Sequence, residues 1–396
     1  MKILVINAGS SSHKLSLYDI KDLQPVEPLW KATIDWGRGG AHSFLVVTVP
    51  GQCKMEKSLE NSSIQEGLQI LLTSLWQGST QVISGLSAIE SIGHRVVHGG
   101  RAFQCPTLIN DKVKAELHSL IPLAPLHNPA NLQGIEIMEQ HFPHIPQIAV
   151  FDTAFHAQMP EKVKAYPVPY AWKAEGIERY GFHGISHQYC AERAAALLQK
   201  EPRDLKMINC HLGNGASLCA IKDGKSVDTT MGFTPMEGLM MGSRCGSIDS
   251  GILLYLLREK KYTVEDLDAI LNFNSGLKGI AGTSDMREIL ASQEARAQLA
   301  FEMYNYRLKG YIGALITQLE GIDTLIFTGG VGENAAAVRE ATCQGLKFLG
   351  VELDVEKNLK CQPDQDVALL ASKVRILVIH TREEWMIARE CFVFTV

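Results

Sequence analysis

The stretch ILVINAGSSSHKLSLYD, from Ile3 to Asp19, decides the fold because an altered copy of it returns in the second half of the chain. The copy is MINCHLGNGASLCAIKD, from Met207 to Asp223. In both copies an apolar run is followed by a turn of small polar residues and then by a second apolar run, which is typical of a β-hairpin. A hairpin that recurs about half a chain later predicts two duplicated halves.

Aligning Asn7 with His211 gives an offset of 204 residues in a chain of 396. The same offset places Gly9 on Gly213 and Ser10 on Asn214. Turns of this composition bring backbone N–H groups around an oxyanion without obstruction from Cβ atoms, and Lys14 adds a positive charge beside the first turn. We therefore expect the two turns to bind a polyphosphate; the alternative is that each is an ordinary Gly-rich hairpin.

The composition is that of a globular, enzyme-sized protein, because 46% of the residues are hydrophobic and the length exceeds that of a usual single core. The net charge of −5 and the scattered Lys and Arg residues predict neither a nucleic-acid partner nor a membrane partner. Nine cysteines without a CxxC pair indicate a reducing, cytoplasmic location. No run approaches the roughly 18 apolar residues of a membrane span, and the first residues do not resemble a signal peptide.

Short apolar runs alternate with helical patterns along the chain, which predicts an α/β protein. Strands are predicted near 3–7, 14–19, 91–97, 147–152, 206–211, 217–222 and 324–328, and helices near 64–77, 129–141, 187–199, 296–319 and 383–391. Residues 20–63 have no clear periodicity, and we interpret them as a variable excursion. We place the domain boundary after the strand that ends at Asp152, and the last helix could pack on either half.

Two segments of the first half are suited to binding an anion. In GHRVVHGGR, Arg95 lies inside an apolar strand, where a charge is costly unless it meets an anion; a buried salt bridge is the alternative. In LAPLHNP, Asn128 is predicted as the N-cap and Pro129 as the first helical residue, which puts His127 at the positive end of a helix. His127 could equally be structural.

Two further segments carry candidate catalytic side chains. In VFDTAFH, Asp152 follows a strand at its carboxyl end, where open α/β sheets bind ligands; a loop or capping carboxylate is the alternative. In YGFHGISHQ, His183 precedes a helix that Ser186 is predicted to cap, and we expect its imidazole to stabilise a phosphoryl group. His183 and His187 have i, i+4 spacing, but the absence of HExxH makes a zinc site improbable.

The segment 229–251 is rich in Gly and Met and has Arg244 near its centre, which suits charge stabilisation in phosphoryl transfer; a solvent-facing Arg is the alternative. In GIAGTSDMRE, Asp285 and Arg287 could contact a nucleoside. In LIFTGGVGENAAAVRE, a strand and a glycine cluster precede Glu333 and Asn334, which are predicted to open a helix beside a nucleotide. The chain has no Walker A motif.

The segment VIHTREEW places Glu383 and Glu384 at the first turn of the last helix. They could bind a metal ion, although carboxylates are favourable at a helix N-terminus in any case.

Ten segments, in order and spacing, resemble the acetate kinase family: NAGSSSHK, GHRVVHGG, LAPLHNP, VFDTAFH, YGFHGISH, HLGNGAS, TPMEGLMMGSRCGSID, SDMR, FTGGVGEN and TREE. The match runs from Lys2 to about Ala388. The resemblance implies two duplicated actin/hexokinase-like (ribonuclease H-like) domains with the active site in the cleft between them. It places the first domain at 1–152, with the helix 383–396 packing back on it, and the second at 153–382.

The resemblance implies a reversible transfer of the γ-phosphoryl group of ATP to acetate, giving acetyl phosphate and ADP, with Mg²⁺ that Mn²⁺ can replace. It also implies a homodimer. By motif, Asp152, His183 and Arg244 resemble the catalytic residues, and Arg95 and His127 resemble the acetate-binding residues. The residues that would line the methyl pocket are Val97, Leu126, Phe182 and Pro235.

The other residues implied by the resemblance bind ATP and the metal ion. The ATP contacts are Lys14, His211, Leu212, Gly213, Asn214, Gly215, Asp285, Met286, Arg287, Gly330, Val331, Gly332, Glu333 and Asn334, and the metal contacts are Asn7 and Glu383. The chain departs from the family at His13, Ser250 and Arg382. His13 and Arg382 could tune nucleotide affinity, and Ser250 could loosen the Arg244 loop.

Because a carboxylate is already a nucleophile at neutral pH, we expect direct in-line transfer without a phosphoenzyme, with Asp152 orienting acetate or metal rather than accepting a proton. A propionate or butyrate kinase is the nearest alternative, because one methylene group is worth only ~1–3 kcal/mol of discrimination. An actin-like switch ATPase is an alternative of another class. The anion-binding candidates Arg95, His127, His183 and Arg244 speak against it, since ATP hydrolysis needs water and no second anion.

Overall fold

The computed structural model describes residues 1–9, 12–36, 42–60 and 63–396 of the chain. Ser10, which the repeat pairs with Asn214, lies outside these residues. The chain divides into two compact units: a first unit of Met1–Ala154 with Arg382–Val396, and a second unit of Phe155–Thr381. In the described residues no helix is both long enough and apolar enough to cross a membrane.

The first unit contains an eight-stranded sheet with the order β5-β4-β3-β2-β1-β6-β8-β7. The strands are β1 (Lys2–Ala8), β2 (Ser12–Asp19), β3 (Trp30–Asp35), β4 (His42–Val49), β5 (Cys53–Glu60), β6 (Ser91–Val96), β7 (Thr107–Leu108) and β8 (Gln147–Phe151). Strands β1, β6 and β8 are parallel, so their carboxyl ends meet at one edge of the sheet. The remaining neighbours pair in antiparallel fashion.

Four helices pack in the first unit: α1 (Ile64–Thr73), α2 (Asp111–Ser119), α3 (Asn128–His141) and, from the end of the chain, α15 (Glu383–Thr395). Helix α15 lies on β1 and β6. A Cβ atom at Gly93 of β6 would come within 2.7 Å of Cys391 and Ile387, so the close approach of α15 requires glycine there. This packing fixes the position of the Glu383 end of the helix relative to the strands.

The second unit contains a six-stranded sheet with the order β11-β10-β9-β12-β14-β13. Its strands are β9 (Met207–Leu212), β10 (Ala216–Lys222), β11 (Lys225–Thr229), β12 (Thr324–Thr328), β13 (Gln365–Asp366) and β14 (Arg375–Val378). Its helices are α4 (Glu161–Lys164), α5 (Ala171–Ala174), α6 (Gly184–Leu197), α7 (Ser250–Glu259), α8 (Val264–Phe273), α9 (Gly276–Ala281), α10 (Met286–Ala291), α11 (Ala295–Leu319), α12 (Gly329–Asn334), α13 (Ala336–Gln344) and α14 (Val355–Leu359).

The two sheets repeat the same arrangement, which confirms the duplication predicted from the sequence. In each, three antiparallel strands are followed by two parallel strands and a short antiparallel edge strand, so β3-β2-β1-β6-β8-β7 corresponds to β11-β10-β9-β12-β14-β13. The offset of 204 fits the first strand of each hairpin only. Asn7 pairs with Lys14 whereas His211 pairs with Ser217, so the first turn is one residue longer and the second strands are offset by 203.

All of the predicted strands and helices are present within a few residues of their predicted ends. Residues 20–63, which we interpreted as a variable excursion without clear periodicity, contain β3, β4 and β5 of the first sheet, so the judgement on their periodicity was wrong. Strand β3 alternates buried and exposed side chains, with Trp30, Ala32 and Ile34 in the core. This period of two is present in the sequence and is the signal that should have predicted the strand.

Three predicted helix starts were also wrong. Asn128 is the first residue of α3, and its amide bonds the backbone of His98 in both directions instead of capping the helix. Ser186 lies inside α6, which begins at Gly184. Glu333 and Asn334 end α12 and do not open it. The side chains of Asn128, Ser186 and Glu333 make tertiary hydrogen bonds that the local sequence does not reveal, whereas the Asn334 amide donates to the Gly330 carbonyl within the same helix.

His13 lies in the core of the first unit with 1% of its surface exposed. The Trp36 indole N–H donates to His13 Nδ1 at 2.8 Å, and the two rings meet edge to face. Burial lowers the pKa of His13 to about 4. Its side chain therefore stays neutral and serves packing, while the next residue, Lys14, is exposed.

His13 should make the protein less stable in mild acid. The unfolded chain binds a proton at this residue below about pH 6.5, whereas the folded chain does so only below about 4, so the free energy of unfolding falls as the pH drops between these values. The loss attributable to His13 is about 3 kcal/mol. In His13→Gln, the free energy of unfolding, measured by urea denaturation at a series of pH values, should change less steeply with pH across this window. His144→Gln, at an exposed histidine, is the control; equal slopes for His13→Gln and wild type would refute the assignment.

Candidate active site

The parallel strands of the first unit bring three predicted site residues together. Arg95 lies near the carboxyl end of β6, Asp152 directly follows β8, and Asn7 lies near the end of β1. Arg95 Nε and Nη2 donate to the two carboxylate oxygens of Asp152 at 3.1 and 2.5 Å, and Nη1 donates to Asn7 Oδ1 at 3.1 Å. The salt bridge that the sequence left open as an alternative for Arg95 is therefore present.

The Arg95–Asp152 pair is charged and largely removed from solvent, with the Asp152 side chain only 1% exposed. Burial alone would lower the pKa of Arg95, but the neighbouring Asp152 carboxylate has the larger effect, so the pKa of the arginine is raised. A guanidinium has five N–H donors, of which these bonds use three. The pair thus presents a fixed positive group at the sheet edge that can still bind an anion.

Glu383 and Glu384 lie in the first turn of α15, as predicted. Burial raises the pKa of Glu383 to about 7, and the neighbouring Asp152 and Glu384 carboxylates add to the shift, while Arg95 and Lys14 oppose it. A carboxylate that is costly to ionise indicates a place where a cation would be favourable. No group of three or more His, Cys, Asp or Glu residues in the described ranges is arranged to hold a metal ion.

The segment after β6 is tied to the start of α3. Val97 is buried, and its backbone N–H donates to Asn131 Oδ1 at 3.0 Å. Asn131 in turn donates to the carbonyl of Ala8 at the end of β1. Leu126 and His127 precede α3 and are partly exposed. Asn131 therefore fixes the backbone of Val97, one of the residues predicted to line the methyl pocket, a role that the sequence analysis missed.

In the second unit, the predicted catalytic residues His183 and Arg244 converge on the second glycine turn. A Cβ atom added at Gly215 would lie 3.5 Å from both Arg244 Nη1 and His183 Nε2. His183 precedes α6 in the left-handed conformation, with φ of 57°, and its ring stacks on His211 with centroids 4.3 Å apart. Arg244 Nη1 also donates to the carbonyl of Pro235 at 3.1 Å.

The turn itself is held by backbone contacts that only small residues permit. The Gly213 N–H donates to the Gly215 carbonyl, and the Gly242 N–H donates to the Asn214 carbonyl, both at 2.9 Å. A Cβ atom at Gly242 would lie 2.2 Å from Asn214 Oδ1, so the Arg244 loop can approach the turn only through glycine. Leu212, which precedes the turn, is buried. Phe182 is also buried, and its carbonyl accepts from His156 Nε2.

On the predicted nucleoside side, Asp285 caps α10 by accepting from the Arg287 N–H at 2.9 Å. It also pairs with the Arg287 guanidinium at 2.6 Å, and these bonds lower the pKa of Asp285 to about 2. The Arg287 side chain is 90% exposed, and Met286 is buried. Asp285 thus caps α10 and also pairs with an exposed arginine side chain.

Glu333 hydrogen-bonds the glycine segment that follows β12. Its carboxylate accepts from the Gly329 N–H at 3.0 Å and the Thr381 N–H at 3.3 Å, and it pairs with His380 Nδ1 at 2.7 Å. Gly330 and Asn334 are exposed, and the Asn334 amide donates to the Gly330 carbonyl. Val331 and Gly332 complete the same short helix.

Arg339, in the same motif, was missed by the sequence analysis. It is buried, and its Nη1 donates to the carbonyls of Gly332 and Glu333 at 2.9 and 2.8 Å. Its other nitrogens bond Asn358. An arginine two helical turns from a glycine cluster has no local signal that would have revealed this role.

The site has cationic groups beside glycine turns, and the sheet arrangement that carries them occurs twice in the chain. These features are typical of a phosphotransferase that transfers a phosphate to an anionic acceptor. A family model described as the acetokinase family matches residues 2–389. The chain therefore belongs to the acetokinase family, whose members are phosphotransferases with a carboxyl group as the acceptor.

Individual relatives agree with this membership. The chain is 55% identical over 390 residues to an acetate kinase of Protochlamydia amoebophila and 54% identical over 399 residues to an acetate kinase of Rippkaea orientalis, covering 98% of each relative. Among solved structures, it matches Porphyromonas gingivalis acetate kinase with a TM-score of 0.92 and 38% identity, and the match covers 100% of both chains. The two-domain actin/hexokinase-like fold expected from the sequence is therefore confirmed.

Proposed function

We propose that this chain catalyses the reversible transfer of the γ-phosphoryl group of ATP to acetate, giving acetyl phosphate and ADP. The observation that carries the proposal is the convergence of His183 and Arg244 on Gly215, where a Cβ atom would lie 3.5 Å from Arg244 Nη1 and from His183 Nε2. The similarity to relatives named acetate kinase over nearly their whole length supports the same reaction.

The reaction needs no strong general base. Acetate is ionised at neutral pH, so catalysis consists of aligning its oxygen with the γ-phosphorus and neutralising the charge that spreads over the transferring group. We infer a direct in-line transfer without a phosphoenzyme. Both carboxylate oxygens of Asp152 accept hydrogen bonds from Arg95, which makes Asp152 a poor nucleophile and suits it to orienting that arginine.

In this proposal Arg95 binds the carboxylate of acetate, with His127 nearby in the role implied by its motif. Val97, Leu126, Phe182 and Pro235 would line the pocket for the methyl group. Arg244 and His183 would act on the transferring phosphoryl group, because they are the donors at the second glycine turn. These donors are positioned before the reaction, so they need not reorganise as charge develops.

The nucleotide would be bound by the remaining predicted residues. Lys14, the turn His211–Gly215 and the segment Gly330–Asn334 would hold the phosphates and ribose, and Asp285–Arg287 would lie at the nucleoside. Glu333 acts through the backbone, because its carboxylate is engaged with Gly329, Thr381 and His380.

Oxygen ligands fit Mg²⁺, which binds proteins through one or two carboxylates while the substrate phosphates complete its shell. Asn7 and Glu383 would hold it, Glu383 through a water molecule, and Mn²⁺ could replace it. The raised pKa of Glu383 supports a cation there. When bound with the nucleotide, the metal ion would neutralise phosphate charge; the chain's own groups would orient the acceptor.

Two further assignments complete the proposal. The two compact units support domains at 1–152 with 383–396 and at 153–382. The limits of the units differ from these predicted boundaries by only two residues near Asp152 and by one residue at Arg382. A cytoplasmic location is supported by the nine cysteines, all of which are free thiols.

A second candidate substrate is propionate. The chain matches a propionate kinase from Francisella tularensis subsp. tularensis SCHU S4 with a TM-score of 0.91 and 38% identity, covering 99% of both chains. Acetate and propionate differ by one methylene group, so both acids, and butyrate after them, must be compared directly.

Trapping the acyl phosphate as its hydroxamate tests the reaction. With Mg-ATP, we expect kcat/KM for acetate to exceed that for propionate by about 10-fold or more, and butyrate to react more slowly still. A preference for propionate would keep the mechanism and change the substrate. Hydroxamate from none of the acids, together with ATP hydrolysis unaffected by acetate, would favour a switch ATPase and contradict the proposal.

The two arginines should separate binding from catalysis. Arg244→Ala should lower kcat about 1,000-fold with little change in the KM for acetate, because it removes charge stabilisation from the transition state. Arg95→Ala should raise the KM for acetate about 10-fold or more as well as lowering kcat, because a charge-assisted bond to the substrate is lost. Arg193→Ala, at an arginine paired with Asp364, is the control. A near wild-type rate for either variant would make that role wrong.

We propose a homodimer formed through α7. None of the residues of this ten-residue helix, SGILLYLLRE, is buried, and Leu254 and Tyr255 are 50% and 52% exposed. An apolar helix with no covered face in a single chain is suited to packing against a second copy.

The dimer can be tested by light scattering after size exclusion. The wild-type chain should elute as a dimer, and Leu254→Asp with Tyr255→Asp should elute as a folded monomer, because two charges cannot be buried unpaired in an apolar interface. Leu370→Asp, at an exposed leucine outside α7, is the matched control. A monomeric wild type, or a dimeric double variant, would contradict the proposal.

A further inference from the structure

The second unit buries a histidine that the proposed reaction does not use. His187 lies one helical turn after His183 on α6 and has no exposed surface. Burial lowers its pKa well below the ordinary value, and the neighbouring His156 and His211 lower it further, so the ring is neutral. A buried neutral imidazole has one donor and one acceptor nitrogen, and both must be satisfied.

A chain of three hydrogen bonds connects His187 to His183. Asn209 Nδ2 of β9 lies 2.8 Å from His187 Nδ1, His187 Nε2 lies 2.8 Å from Ser217 Oγ of β10, and Ser217 Oγ lies 2.8 Å from His183 Nδ1. Asn209, His187 and Ser217 are all fully buried. The hydrogen-bond order is therefore set by the side chains themselves and not by solvent.

The direction of each hydrogen bond follows from the Asn209 amide, which is the donor of the first bond in the chain. The Asn209 amide N–H donates to His187 Nδ1, so the single proton of the neutral His187 ring is on Nε2. That proton goes to Ser217 Oγ, and the Ser217 hydroxyl must then donate to His183 Nδ1. The proton of a neutral His183 is consequently on Nε2, the atom that would lie 3.5 Å from a Cβ at Gly215 in the second glycine turn.

The reverse direction costs more. It requires the Asn209 amide to turn, which places its carbonyl on His187 and leaves a buried NH₂ group with two unmade donor bonds. In the observed orientation the amide leaves one N–H and the carbonyl oxygen, Asn209 Oδ1, without a partner among the described residues. A buried N–H without a partner is rarer than an unpaired carbonyl oxygen, so the orientation that leaves one such N–H is favoured over the one that leaves two.

We propose that Asn209, His187 and Ser217 are positioning residues that fix the proton of His183 on Nε2, so that His183 meets the transferring phosphoryl group as a hydrogen-bond donor. The inference rests on the role proposed above for His183. A neutral imidazole in the other tautomer would direct a lone pair at an anionic group, and the hydrogen bond to the transition state would be lost.

Ser217→Ala tests the chain because it separates His183 from His187 without altering either ring. We expect kcat to fall about 10-fold, against about 100-fold for His183→Ala, with the KM values for ATP and acetate within about threefold of wild type. Asn209→Leu should lower kcat in the same direction although it touches neither His183 nor substrate. The Ser217→Ala change should add little in the His183→Ala background, because coupled residues are not additive.

The matched control is Ser226→Ala. Ser226 Oγ bonds Nδ1 of another buried histidine, His156, at 2.7 Å, and neither residue belongs to the chain that leads to His183. This variant also removes a buried hydroxyl from an imidazole, and thermal denaturation of both serine variants would show that each is folded; Ser226→Ala should keep wild-type kcat. Equal kcat values for the two serine variants would overturn the proposal.

An NMR measurement tests the tautomer of His183 independently of the reaction rate. In protein labelled with ¹⁵N-histidine, the His183 signals, assigned by their loss in His183→Gln, should show a protonated Nε2 and an unprotonated Nδ1. Ser217→Ala should give a mixture of tautomers, and Ser226→Ala should not. An Nδ1–H tautomer in the wild type, or an unchanged one in Ser217→Ala, would overturn the proposal. Full activity of His183→Ala would instead refute the proposed role of His183.

Discussion

A kinase that phosphorylates a carboxylate must bring two anions together, and this constraint explains the positive groups that the fold holds away from water. Arg95 lies within a parallel sheet, where an unpaired charge would be prohibitively costly, and the buried Asp152 carboxylate offsets that cost with two hydrogen bonds. Arg244 donates to the carbonyl of Pro235 and lies beside the second glycine turn. In the proposed reaction Arg95 binds the substrate anion, and Arg244 stabilises charge that appears only during transfer.

Backbone conformation decides where these groups point. The turn after β9 lacks a Cβ at Gly215, and the loop that carries Arg244 approaches it through Gly242, where any side chain would collide with Asn214. His183 adopts a left-handed conformation that is uncommon for residues with a side chain. Strain of this kind persists only where surrounding contacts enforce it, and here the stack on His211 and the bond to Ser217 do so.

Much of this was predictable from the sequence, because strands with polar turns and charged residues in apolar runs leave local signals. The hairpin repeat predicted the duplication, and the sequence correctly placed Arg95 inside a strand and Asp152 at the end of one. The cap assigned to Ser186 and the helix start assigned to Glu333 were wrong, because Ser186 bonds His211 and Thr381 while Glu333 lies near the end of its helix. Such partners are distant in sequence, so no local rule reveals them. The roles of Arg339 and Asn131 were hidden for the same reason.

The central claim is that acetate attacks the γ-phosphorus directly, with the protein supplying alignment and charge but no covalent intermediate. The most direct test uses ATP made chiral at the γ-phosphorus with three oxygen isotopes and determines the configuration of the acetyl phosphate formed. A single in-line transfer predicts inversion. Retention would require two successive transfers through a phosphorylated residue, and would contradict the roles proposed for Arg95, Asp152, His183 and Arg244.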